Sequence, residues 1–244
     1  RIKLIMAYTT INKSTEHFDT RTYSASGAGS ISDVSFQPDF LWFKNRTIAG
    51  DHGLMDAVRG VNKILHSNDG NGEVTSNGTT NITAFTSNGF TYGASSLIDT
   101  GAGTPCTWLW KANGAGSANT DGTVNSTASV NTTAGFSIVS WTHNGSANYT
   151  VGHGLGTTPK MILAKTTSSS ANWDIYHANI TSGNRLILNS TGGQVSGYWG
   201  ANTVNNNTFS VGSALASNGT TMIAYCFADV QGYSKFGRFT ANGS

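Results

Sequence analysis

The chain is short of charge. Only 11% of its residues are Asp, Glu, Lys or Arg, against about 25% in an ordinary soluble domain. Basic and acidic side chains number 14 and 12, for a net charge of +2, and the Lys and Arg residues are scattered singly. A nucleic-acid binder carries a basic stripe, so no nucleic-acid partner is expected. Apolar runs are short too. None approaches the ~18 residues of a spanning helix, so no membrane insertion is expected. Cysteine is limited to Cys106 and Cys226, too few for a disulfide framework or a four-thiolate zinc site. Each stands in an apolar run, which predicts two buried thiols and no disulfide.

Catalytic signatures are missing as well. The sequence has no Gly-x-Ser-x-Gly elbow and no phosphate loop. Gly152-His153-Gly154-Leu155-Gly156 precedes an apolar run instead of following a strand and opening a helix, so it reads as a turn and not as a dinucleotide loop. Glycoside cleavage needs two opposed carboxylates, yet the only glutamates are Glu16 and Glu73. An aspartate pair confined to one part of the chain is the remaining route to a polysaccharide depolymerase. The expectation is no enzyme and no cofactor.

What is present is Gly (30 residues), abundant Asn, Ser and Thr, and 10% aromatics including six Trp. That much apolar ring separates the chain from disordered sequences. Short apolar runs at 39–44, 136–141, 160–165, 185–189 and 221–227 are bounded by Gly, Asn and Ser, the punctuation of strands and turns. Asn88-Gly89, Asn144-Gly145, Asn218-Gly219 and Asn242-Gly243 suit tight hairpins. Residues 51–60 come nearest to a helical pattern, and their repeat partner reads as a strand.

The runs repeat at a spacing of about 120 residues, the mark of internal duplication. Pro38-Asp-Phe-Leu-Trp-Phe-Lys44 matches Pro159-Lys-Met-Ile-Leu-Ala-Lys165, and Asn62-Lys-Ile-Leu matches Asn184-Arg-Leu-Ile. Gly89-Phe90 matches Thr208-Phe209, and Trp108-Leu-Trp110 matches Tyr225-Cys-Phe227. The predicted fold is all-β, two tandem β-sandwich repeats of jelly-roll or lectin-like type. The expected organisation is an arm at 1–18, sandwiches at 19–120 and 136–232, and a linker at 121–135. Residues 233–244 open a third repeat or form a closing edge strand. Met6 reads as a natural start, with 1–5 upstream of it. The predicted cores are Phe43, Leu54, Ile64, Phe90 and Trp108, and Ile162, Ile175, Leu186, Phe209 and Tyr225.

Two clusters could bind ligands. Trp173, Tyr198 and Trp199 sit among Asn, Asp and Gly, a setting that suits sugars, with ring faces for stacking and amides for hydroxyls; core packing is the competing reading. Asp69-Gly-Asn71-Gly-Glu73 alternates three oxygen ligands as calcium loops do, but lacks the distal glutamate. It is the one weak metal candidate, and a solvated turn is the simpler reading.

Three phrases carry a family resemblance: Phe36-Gln-Pro-Asp-Phe-Leu-Trp-Phe-Lys-Asn-Arg46, Asp56-Ala-Val-Arg-Gly60 and Val151-Gly-His-Gly-Leu-Gly156. With Trp108-Leu-Trp-Lys-Ala112 they resemble a repeat family of bacteriophage tail-fibre and virion structural proteins, especially from marine phages. The resemblance covers Tyr8 to Ser244 and transfers no catalytic residue. It implies a virion-surface or extracellular structural protein, a tail-fibre or appendage module for host attachment. A lectin-like module or a capsid decoration protein is the alternative. The partners it implies are further copies of the chain, a trimer foremost, other virion proteins and host surface glycans.

Overall fold

The computed structural model describes residues 8–24, 27–94, 103–200, 204–240 and 242. The expected start at Met6 and the upstream residues 1–5 lie outside them, as does part of the Asn242-Gly243 turn. Among the described residues there is no α-helix. The first half carries β1 (Phe18–Thr22), β2 (Gly29–Ile31), β3 (Phe40–Asn45), β4 (Gly53–Asp56), β5 (Lys63–His66), β6 (Val74–Thr75), β7 (Asn81–Thr86), β8 (Gly89–Gly93) and β9 (Pro105–Trp110). The second carries β10 (Ser117–Asn119), β11 (Ser126–Asn131), β12 (Phe136–Thr142), β13 (Tyr149–Gly152), β14 (Met161–Thr166), β15 (Asp174–His177), β16 (Asn184–Ile187), β17 (Val195–Ser196), β18 (Thr208–Val211) and β19 (Thr221–Phe227).

These strands form four sheets, and every strand pair is antiparallel. A six-stranded sheet runs β1-β9-β3-β4-β5-β6, and a three-stranded sheet β2-β8-β7 packs on one of its faces. An eight-stranded sheet runs β10-β11-β12-β19-β14-β15-β16-β17, with the pair β13-β18 on one of its faces. The six strands from β12 to β17 stand in the same order as β1 to β6 of the other large sheet. Loop hydrogen bonds correspond as well. Ala57 N donates to Asp39 O and Ala178 N to Lys160 O, both at 2.8 Å; Ser67 N donates to His52 O as Leu188 N does to Trp173 O.

The two large sheets meet through their remaining faces. On β3, Leu41 and Phe43 point into the first outer core, whereas Phe40 points into a middle layer. On β19, Met222, Ala224 and Cys226 face the second outer core, and Ile223, Tyr225 and Phe227 face the middle. Phe40 stacks on Tyr225 with ring centroids 4.1 Å apart. Three apolar layers therefore alternate with the sheets, and the central strands are buried on both faces. Such strands read as continuous apolar runs with no alternation, so the sequence could not say which side each ring takes.

That explains the errors in the predicted cores. Phe43, Ile64 and Phe90 fill one outer core and Ile162 and Phe209 the other, but Leu54, Ile175 and Tyr225 belong to the middle layer. Leu186 and Trp108 are only partly buried. Matching Asn62 to Asn184 slipped by one residue. Lys63 pairs with Thr75 as Asn184 pairs with Ser196, so buried Ile64 corresponds to buried Arg185. A one-residue slip moves every side chain to the opposite face.

Other expectations also change. Residues 121–135 are not a free linker, since β11 lies there and extends the eight-stranded sheet. The near-helical stretch at 51–60 is β4 followed by a tight turn. Gly53 admits the ring of Phe43 directly over its backbone, a place a Cβ would fill. The described part of 233–244 holds no strand, and Phe236 packs on Phe227. Both cysteines are free thiols, Cys226 buried but Cys106 only half-buried. Burial pushes the Cys226 thiol up to about 12.

Candidate functional site

The Asp56–Gly60 phrase builds a buried ionic knot. Gly60, at φ +100°, closes a turn in which its N–H donates to Asp56 O, a conformation that favours glycine. The turn aims Arg59 back at Asp56, with Nε donating to Oδ2 at 2.6 Å. Arg59 also donates to Glu73 Oε2 at 3.1 Å and to the Tyr225 hydroxyl at 3.1 Å. Tyr225 in turn donates to Asp56 Oδ2 at 2.8 Å. Burial alone would lower the Arg59 pKa, but Asp56 and its neighbours hold it above the ordinary value. Burial also pushes the Tyr225 hydroxyl well up. This constellation joins the two halves, and each of its charges is matched.

The 69–73 loop is a clamp between the halves. Glu73 pairs with Arg59 and Lys63, and the Asn71 amide donates to Asp69 Oδ2 at 2.8 Å. Asp69 and Asn71 thus bond to each other while Glu73 turns to Arg59 and Lys63, and the three do not converge as a calcium loop requires. The His, Cys, Asp and Glu atoms that do converge, among the described residues, belong to Asp51, His66 and Asp69. There His66 Nδ1 lies 3.5 Å from Asp51 and 3.3 Å from Asp69. The backbone of the loop grips the second half. Ala171 N donates to Gly70 O, Glu73 N to Thr167 O, and the Lys165 ammonium to Gly70 O at 3.2 Å. Lys165 is fully buried, and burial pulls its pKa from 10.5 down to about 8.

Trp173 and Trp199 are 0% and 4% exposed, so neither offers a ring face for a sugar. The Trp173 indole donates to His66 O at 2.7 Å in the middle layer. Trp199 packs edge-on to Tyr176 and Phe209 in the second outer core. Tyr198 is half-buried, and its ring carries the Arg185 guanidinium 3.2 Å from the centroid, while Arg185 also pairs with Asp174. The structure does not bring the three rings into one platform. The Gly152–Gly156 turn is fixed as well. His153 is buried; its Nδ1 accepts from Leu155 N, and Nε2 lies 3.0 Å from Asn205 O.

A different aromatic set is partly exposed. On β3 and β9, Trp42 stands opposite Trp108, and Phe40 opposite Trp110. The eight-stranded sheet covers Phe40, leaving Trp42, Trp108 and Trp110 half-buried around a groove of about 370 Å³. Lys44 and His52 complete the lining. The sequence signal was the Trp-Leu-Trp alternation at 108–110, which places both indoles on the face opposite buried Leu109.

The architecture defines the class: an all-β protein of antiparallel sheets packed in layers. Residues 13–244 match the model of a domain family of unknown function, DUF7483, and the chain belongs to that family. No curated protein and no solved structure matches it.

Proposed function

We propose that this protein is a structural module of a bacteriophage virion surface, part of a tail fibre or other appendage that contacts the host. The observation that carries the reading is how its charged groups are used. Asp56 and Arg59 bond to Tyr225, the Lys165 ammonium to Gly70 O and the Glu73 backbone N–H to Thr167 O, all between the halves, so these charged residues hold layers together. The exposed loops present amides, hydroxyls and glycines. The shared strand order and corresponding loop bonds support two copies of one jelly-roll-like sandwich related by duplication. Modular growth of this kind fits an elongated appendage, and closed three-fold assembly would multiply weak host contacts. The phrases at 36–46 and 151–156 favour the virion over other extracellular settings.

A lectin-like role is the second reading, favoured by the open tryptophan groove, and the two can coexist. The test is gold-labelled antibody against the chain on purified particles, with mass spectrometry of the same preparation. Label at an appendage supports the proposal, as does a trimer by light scattering. A monomer that is missing from particles overturns it.

A further inference from the structure

We propose that the groove over Trp42, Trp108 and Trp110 binds an acidic saccharide chain. The inference rests on the host-attachment reading and supplies its ligand chemistry.

Antiparallel geometry sets Trp42 about 5 Å across from Trp108, and Trp108 and Trp110 lie about 7 Å apart along one strand. Trp110 packs among Phe18, Phe40, Phe136 and Phe227 and forms one end of the groove, so the free ring surface is that of Trp42 and Trp108, an apolar strip too shallow to enclose a compact ligand. It suits an extended molecule whose CH-rich faces stack on it in succession, as pyranose rings do. Partly exposed tryptophans side by side on one sheet face also make an apolar patch of the kind that marks interaction sites.

Charge then selects among saccharides. Among the described residues, the titratable side chains lining the groove are Lys44 and His52, with no carboxylate; burial and Lys44 lower the His52 pKa, so Lys44 supplies the positive charge. Asp51, next in sequence, is engaged by the Asn68 amide at 2.8 Å and by His66. One donor of the Lys44 ammonium is held by Gly50 O at 2.6 Å; an ammonium has three, so donors remain for a ligand oxygen. The fold contains a precedent. Lys165 occupies the position on β14 that Lys44 occupies on β3, and the acidic 69–73 turn covers it, with Asp69 acting on its charge. Among the described residues no acidic turn lines the groove at Lys44, and a uronate carboxylate matches its charge.

The test uses the full chain, with trigalacturonate and neutral maltotriose as probes, read by calorimetry and tryptophan fluorescence. Trigalacturonate is expected to bind and quench fluorescence, with maltotriose at least ~10-fold weaker, the ratio that 1.4 kcal/mol would give. Lys44→Gln should weaken trigalacturonate about tenfold and flatten the salt dependence of binding, with thermal stability unchanged. Trp108→Ala should abolish quenching, and Trp108→Phe keeps the test valid where the alanine variant does not fold. The proposal fails if neither sugar binds, or if Lys44→Gln and the Trp108 variants bind as wild type does. It also fails if Trp108→Phe changes the sedimentation coefficient, because the strip would then be a contact between copies. Labelled particles with no saccharide binding would sink this inference alone, whereas unlabelled particles would sink the attachment reading.

Discussion

The two halves place different residues at equivalent points and use them differently. On β3 and β9, Trp42 pairs with Trp108; on β14 and β19, Leu163 pairs with Tyr225. Leu163 and Tyr225 are buried in the middle layer, while the two tryptophans stay half-open. Lys44 and Lys165 differ in the same way, one on the groove and the other sealed under the 69–73 loop. The corresponding loop of the second half, around Gln194, returns no such cover and instead accepts hydrogen bonds from Thr181 and Asn184. Contact between the halves is therefore not reciprocal. An offset docking of two similar sheets seals one end of the shared face and leaves the other end exposed.

Truncating the paired rings should separate the two halves most strongly. Tyr225→Ala should cost about 3–5 kcal/mol, since it opens a cavity and strips a partner from Asp56 and Arg59. Trp108→Ala should cost about 1 kcal/mol in the same urea titration, because its ring is only partly removed from water. Equal losses would show that the two positions are equally covered. Next comes Arg59→Met, which leaves Asp56 buried without its cation and should cost roughly 3–4 kcal/mol, read as a lower denaturation midpoint.

A smaller effect separates the lysines by pH. The folded-state pKa of Lys165 is about 8, below its ordinary 10.5, so between those values the unfolded chain binds more protons. Stability attributable to this residue therefore rises with pH across that window and is lowest below pH 8. Wild type should gain on Lys165→Met from pH 8 to 10.5 in parallel unfolding curves. A constant difference would mean that the ammonium is not desolvated. The smallest expected effect is chemical. Under native conditions a thiol reagent should modify Cys106 and spare Cys226 until the chain unfolds, and two fast thiols would contradict the burial of β19.

The sequence made much of this legible. Run lengths and Gly/Asn punctuation located the central strands, because a strand buried on either face still needs apolar residues between turns. Facing was harder to read. Leu54, Ile175 and Tyr225 looked like members of two separate cores, because nothing local signals that two sheets will share a third. The sugar candidates failed for a related reason. Asn172 and Asp174 beside Trp173 suggested a wet ring, yet Asp174 turns to Arg185 and Trp173 inserts under His66. Trp108 was assigned to a core because a large ring in an apolar run ordinarily finds cover; here the covering sheet ends short of it.

The middle layer has one more consequence. Phe40, Leu54 and Leu65 from one half and Phe136, Leu163 and Trp173 from the other each need the opposite sheet to stay dry, and β10 and β11 sew the crossover into the larger sheet. Severing the chain between Asn113 and Gly116 would therefore release two sticky fragments and not two independent folds. Heated or pulled, the molecule should give way in a single step, with both halves surrendering together.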